Sequence, residues 1–235
     1  MIIKQQGLFD DNEPGQQAEP PTAPAMISEP VRRDRSFLPE VKIEEAYPEY
    51  DDLPMLKDKA LGCRDCRLRD TCRQVVFGTG RADSNIIFVG EGPGSDEDEQ
   101  GLPFVGRAGQ LLNQILAASE FKREEVYITN VVKCRPPGNR LPNPDEVKAC
   151  RKYLEAEIRI IQPKIIVCLG AMATQTVVDP RAKIGQSRGK WLQRNGIKIM
   201  PTYHPAALLR NTSYKRPTWE DFKLIRDAYH SLTQA

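Results

Sequence analysis

Apolar positions recur along this chain in two registers, and the registers alternate. Ile86, Ile87, Phe88 and Val89 form a short unbroken apolar run closed by Gly90, the pattern of a strand buried on both faces. Residues 109–118 instead place Leu111, Leu112, Ile115 and Leu116 at helical spacing. Further strands are predicted over 126–132, 164–169 and 197–203. A helix is predicted from Pro144 to about Ile161, with Asn143 as N-cap, proline at the first helical position and Asp145 and Glu146 in the first turn. Other helices are expected over 53–61, 171–177 and 217–232. Strands separated by helices predict an α/β domain: a three-layer αβα sandwich on a central, mostly parallel, four-stranded sheet. Ligands of such sheets bind beyond the carboxyl ends of the strands. Three segments of unusual composition fall there, residues 90–94, 130–135 and 204–211.

Upstream of Leu53 the periodicity stops. Residues 10–50 hold seven prolines and many acids, so residues 1–52 read as an acidic, proline-rich disordered tail and residues 53–235 as the folded domain. Charge divides at the same place. The tail carries five Lys/Arg against twelve Asp/Glu, net −7, whereas the remainder carries 29 against 20, net +9. A domain with that excess suits a polyanion such as nucleic acid. No apolar run is long enough to span a bilayer, and the N-terminus lacks the apolar core of a signal peptide, so the expected location is the cytoplasm. Thiols stay reduced there, and six cysteines then suggest metal ligands or buried thiols more than disulfides.

Cys63 and Cys66 form a CxxC turn, Cys134 follows a predicted strand, and Cys150 lies on the next helix. Thiolate-rich sets of this kind hold zinc or an iron–sulfur cluster, and the spacing does not choose between them. Cys72 is a candidate substitute ligand; Cys168, inside an apolar strand, reads as core.

The loop Gly90-Glu91-Gly92-Pro93-Gly94 is not a dinucleotide fingerprint, but glycine and proline there bring backbone amides close to a small ligand. Phe104, between Pro103 and glycines, offers either a flat face for a base or ordinary core packing. Asn130 ends a strand; its amide suits the polar edge of a pyrimidine or, equally, a turn cap. His204, one of two histidines, stands at another strand end and is held by Pro205.

Taken in order, GEGPG-x2-ED-x2-G-x-PFVG-x-AGQLL, ITNVVKCRPPGNR-x-P, CLG and HPAALLRN resemble the family 4 uracil-DNA glycosylases, over about residues 53–232. The resemblance implies a monofunctional base-excision enzyme that hydrolyses the N-glycosidic bond of uracil in DNA, and makes residues 53–235 its catalytic domain. It implies a [4Fe–4S] cluster, rather than zinc, on Cys63, Cys66, Cys134 and Cys150. It implies a uracil pocket of Glu91, Gly92, Pro93, Phe104, Asn130 and His204, with Glu97 near C5 of the base, where a methyl group marks thymine. Leu208, Leu209 and Arg210 would form a loop that probes the helix, with a leucine filling the vacated stack. His204 is expected to donate to the uracil anion and Asn130 to read the base. The position that carries an aspartate base in the better-known uracil glycosylases is Gly92 here, leaving Glu91 and main-chain carbonyls as candidates to position the water.

A related subgroup that stays covalently bonded to the abasic sugar carries a basic, histidine-containing insert; residues 185–191 here contain no histidine, which argues against that chemistry. Near the N-terminus, Gln5, Leu8 and Phe9 resemble the bacterial sliding-clamp-binding peptide Q-x-x-L-F, so the tail is expected to tether the enzyme to the clamp. The expected form is a monomer, at the nucleoid, acting on single- or double-stranded DNA.

Overall fold

The computed structural model describes residues 50 and 52–233. Of the expected tail, residues 1–52, only Tyr50 and Asp52 are described, and the clamp-binding residues Gln5, Leu8 and Phe9 lie outside the described residues. No described helix is long and apolar enough to cross a membrane.

In chain order the elements are α1 (Leu53–Leu61), β1 (Thr79–Gly80), β2 (Ile86–Gly90), α2 (Ser95–Gln100), α3 (Arg107–Ala118), β3 (Tyr127–Asn130), α4 (Pro144–Ile161), β4 (Ile165–Leu169), α5 (Gly170–Val177), α6 (Ile184–Ser187), β5 (Leu192–Arg194), β6 (Ile197–Thr202), α7 (Pro205–Arg210) and α8 (Lys215–Thr233). The sheet runs β1-β3-β2-β4-β6-β5. The four predicted strands are its parallel centre, and β1 and β5 extend it to six as short antiparallel edges. Edges of two and three residues are too short to leave a period in the sequence.

β2 and β4 are buried at every position because helices cover both faces of the sheet. On one face Phe88 stacks against Phe222 of α8, at 6.0 Å between ring centroids, and meets Phe121 edge-on. On the other, α4 buries Cys150, Tyr153, Leu154, Glu157, Ile158 and Ile161, a stripe at helical spacing. The start of α4 is fixed by buried Glu146, which reaches back to accept from the Asn143 amide at 2.7 Å and takes a bidentate pair of bonds from Arg140. At α1, Asp52 accepts from the Met55 amide at 2.8 Å, a cap worth about 1 kcal/mol.

From β2 the chain steps to one side, to β3, and then crosses to the other side, to β4 and β6. That reversal opens a crevice at the carboxyl ends of β2 and β4. The segment 204–211, expected as a loop, begins there as the short helix α7, with His204 as its N-cap.

Candidate active site and cysteine cavity

A cleft of about 400 Å³ occupies this crevice, the size of a small-molecule site. Glu91, Gly92, Pro93, Glu97, Phe104, Asn130, His204 and Arg210 all line it, so residues up to 119 positions apart in sequence meet at one place. Arg140 and Leu141, which the sequence reading did not single out, line its far wall. They arrive there because the Arg140–Glu146 bonds pin the loop to the start of α4.

The close approach of three side chains depends on two glycines. A Cβ on Gly90 would lie 2.3 Å from Asn130 Oδ1 and 2.5 Å from the Phe104 ring; one on Gly109 would lie 2.0 Å from the Phe104 backbone. Phe104 itself adopts a left-handed backbone, φ 56°, uncommon for a bulky residue and a mark of strain held for a purpose. Its ring is buried, with its centroid 5.5 Å from that of His204. Arg123 holds the loop by donating to the Pro103 carbonyl at 2.7 Å.

Asn130 is 2% exposed, and its Oδ1 is sealed from solvent with no hydrogen-bond partner among the described residues. Such a group costs about 1–3 kcal/mol unless something else bonds it. His204 Nδ1 accepts from the Ala206 amide at 3.1 Å, so the imidazole proton sits on Nε2. Burial, and then the Arg210 charge, lower the His204 pKa to about 4, which keeps the ring neutral at physiological pH. The Glu91 main-chain carbonyl accepts from the Val132 amide at 3.2 Å, but its carboxylate accepts no hydrogen bond from the described residues. Burial raises its pKa above the ordinary carboxylate range, and Arg210 pulls it partly back.

Glu97 lines the cleft, but its carboxylate is occupied: it accepts from the amides of Gly94 (3.0 Å), Val105 (2.9 Å) and Gly106 (2.9 Å). It therefore ties the glycine loop to the Phe104 loop, a task the sequence reading missed. Leu208 requires a correction. It is 1% exposed and packs inward from α7, so it is not available as a wedge; Leu209, 43% exposed, and exposed Arg210 face outward.

The cysteines form a second centre. Cys63, Cys66, Cys134 and Cys150 line one narrow cavity between α1, the segment after β3, and α4. The Lys133 amide donates to Cys150 Sγ at 3.3 Å. Burial is the main cause that raises the thiol pKa values of Cys66, Cys134 and Cys150, the last to about 12. Cys72 does not line the cavity, but its thiol neighbours that of Cys134, and its Sγ lies 3.8 Å from the Arg69 carbonyl oxygen. Cys168 is fully buried in β4, as a core thiol. Among the described residues, no three His, Cys, Asp or Glu side chains are grouped as a single metal ion would require. Apart from Asp65, whose carboxylate pairs with Lys152, the donors lining the cavity are thiols, and they fit a sulfur-ligated group more than a hard cation.

A buried, parallel-sheet sandwich with a base-sized cleft at its switch point, lined by a stacking ring, a free amide oxygen and a neutral imidazole, defines a protein that handles a nucleobase. The family model of the uracil DNA glycosylase superfamily matches residues 77–223. The type-4 uracil-DNA glycosylase of Thermotoga maritima is 47% identical over 71% of this chain and 88% of its own length. That of Archaeoglobus fulgidus is 44% identical over 70% and 87%. A type-5 uracil-DNA glycosylase of Thermus thermophilus is more distant, 28% identical over 63% and 75%. The chain belongs to the uracil-DNA glycosylase superfamily and, within it, to the type-4 family.

Proposed function

We propose that this chain hydrolyses the N-glycosidic bond of uracil in DNA, releasing free uracil and leaving an abasic site. The observation that carries the reading is the buried, unpartnered Asn130 Oδ1 beside the Phe104 ring and the neutral His204. Uracil N3–H is the donor that oxygen lacks.

A base inside a duplex is out of reach, so uracil enters by flipping, at a cost of a few kcal/mol. Arg210 contacts the phosphates, and Leu209 fills the vacated stack. Phe104 stacks on the base and Asn130 reads its polar edge. Bond cleavage leaves negative charge on uracil, which the Nε2–H of His204 and the amides near Gly92 stabilise. Neutral His204 can serve here because Nδ1 accepts from the Ala206 amide, which leaves the single ring proton on Nε2 to be donated. Glu91 positions the attacking water and faces the positive sugar. Pro93 helps shape the pocket wall, and Glu97 holds the two loops in place near C5 of the base.

Cys63, Cys66, Cys134 and Cys150 would hold a [4Fe–4S] cluster, which when bound supplies a structural cross-link between α1, the segment after β3, and α4. Their convergence on one cavity supports this assignment. Assembly of the cleft from one chain supports action as a monomer on DNA, at the nucleoid. Gln5, Leu8 and Phe9 are proposed to bind the sliding clamp; replacing Leu8 and Phe9 with alanine should abolish clamp binding and spare uracil release.

The test is direct. The purified chain should release uracil from a uracil-containing oligonucleotide and leave an alkali-labile site, and the same oligonucleotide with thymine should stay intact. No release where a control glycosylase works would overturn the reading.

A further inference from the structure

Two buried charges have no part in the chemistry above. Lys133 is 2% exposed and Glu157 fully buried, and they pair at 2.7 Å inside the apolar stripe of α4. A lysine ammonium has three protons to donate. All three find acceptors: Glu157 Oε2, Thr129 Oγ1 at 2.6 Å and the main-chain carbonyl of Asn130 at 2.8 Å. Glu157 also accepts from Thr129 Oγ1, from the Tyr127 hydroxyl at 3.1 Å and from the Gly78 amide at 3.3 Å. The network thus grips β3 through Tyr127 and Thr129 and closes on the backbone of Asn130 itself.

The main chain of Lys133 is fixed as well. Its carbonyl accepts from the Val76 amide at 2.7 Å, and its amide donates to Cys150 Sγ. One residue therefore touches the backbone of the base-reading asparagine with its side chain and the cysteine cavity with its amide.

We infer that Lys133 and Glu157 are a positioning pair: they set the register of Asn130 at the end of β3 and couple it to the cysteine cavity. The inference rests on the assignment of Asn130 as base reader. Held only by its own strand end, the Asn130 side-chain amide would lack this restraint, because its Oδ1 has no hydrogen-bond partner among the described residues.

The experiment replaces both charges together, Lys133→Met with Glu157→Gln, so that neither is left buried alone. Uracil release, inhibition by free uracil, melting temperature and visible absorbance of the cysteine-bound cluster are measured on the full chain. The expected result is a folded protein whose kcat falls on the order of 10²-fold, as a reacting group displaced by about 1 Å would cause. KM for DNA, set by phosphate contacts, should hold, and free uracil should inhibit less. Adding Asn130→Ala to the pair variant should cost nothing more, although Asn130→Ala alone is costly. If the pair variant does not fold, Thr129→Val, which keeps both charges, should show a smaller loss that is likewise not additive with Asn130→Ala. Additive losses, or unchanged kcat in a folded variant, would overturn the coupling. Absence of uracil release by the unaltered chain would instead overturn the assignment beneath it.

Discussion

Two clefts open at opposite ends of the sheet, and the larger is not the candidate active site. At the amino ends of β4 and β6 lies a cleft of about 710 Å³, lined by Glu155, Lys164, Arg194 and Lys198. Three of these charged groups are tied up within the fold. Arg194 pairs with Glu155, Lys164 Nζ donates to the Leu232 carbonyl, and Lys198 lies over the Trp191 ring. At the carboxyl ends the cleft is about 400 Å³, yet Asn130 Oδ1 has no hydrogen-bond partner among the described residues and His204 keeps its proton on Nε2. Between these two clefts, hydrogen-bonding capacity withheld from the fold, and not volume, marks the site; burial without a partner is not enough by itself, since Ser119 Oγ, which lines neither cleft, shares it. Leaving such groups unbonded destabilises the empty protein and is tolerated where a ligand completes them.

The contrast can be broken most severely at His204. His204→Ala should lower the rate of uracil release by roughly 10²–10³, the cost of removing one donor from a developing anion, while loss of its cap on α7 lowers stability by only about 1 kcal/mol. A rate within a factor of a few of the unaltered enzyme would remove His204 from the chemistry.

Glu91 and His204 also separate by pH. As pH falls, Glu91 takes up its proton first, because burial holds its pKa above the ordinary carboxylate range, whereas His204 charges only near about 4. The rate should therefore be flat above neutrality and decline on an acid limb governed by Glu91. In Glu91→Gln, with a lower plateau, that limb should move down to about 4. A limb near 6.5, the ordinary histidine value, would contradict the buried neutral imidazole.

The two leucines of α7 give a smaller and more selective effect. Leu209→Ala should slow release from duplex DNA more than from single strands and leave stability unchanged. Leu208→Ala should instead destabilise the protein by about 2–5 kcal/mol, the cost of emptying a core position, measured by denaturant titration. The opposite assignment of the two effects would show that the outward leucine is Leu208.

The smallest change is expected at the larger cleft. Replacing Glu155 and Arg194 together with methionine should leave uracil release unaltered, since an ion pair exchanged for apolar side chains of similar size is often neutral. Loss of activity in that folded variant would undo the contrast between the two clefts.

The central strands, the long helices and the residues at strand ends were legible in the sequence because each follows a period or interrupts one. Asn130 and His204 stood out as polar side chains in or just after predicted strands. What was not legible depends on contacts distant in sequence. The strand order is not written in any local pattern, and α2, α6 and α7, at four to six residues, are too short to display one. Leu208 and Leu209 are adjacent and alike, and only the rotation of α7 sends one inward and the other out. Glu157 is a charge buried on α4, and Lys133, twenty-four residues earlier, is what permits that burial. Glu97 reads as a base contact until the three amides that occupy it are seen.

The most direct test of the central claim is to ask which cleft free uracil occupies, by heteronuclear NMR titration of the chain. The account predicts that the side-chain amide of Asn130, the Nε2–H of His204 and the amides around Gly92 shift together and saturate. Shifts confined to Arg194, Gly196 and Lys198 at the amino ends of the sheet would contradict it.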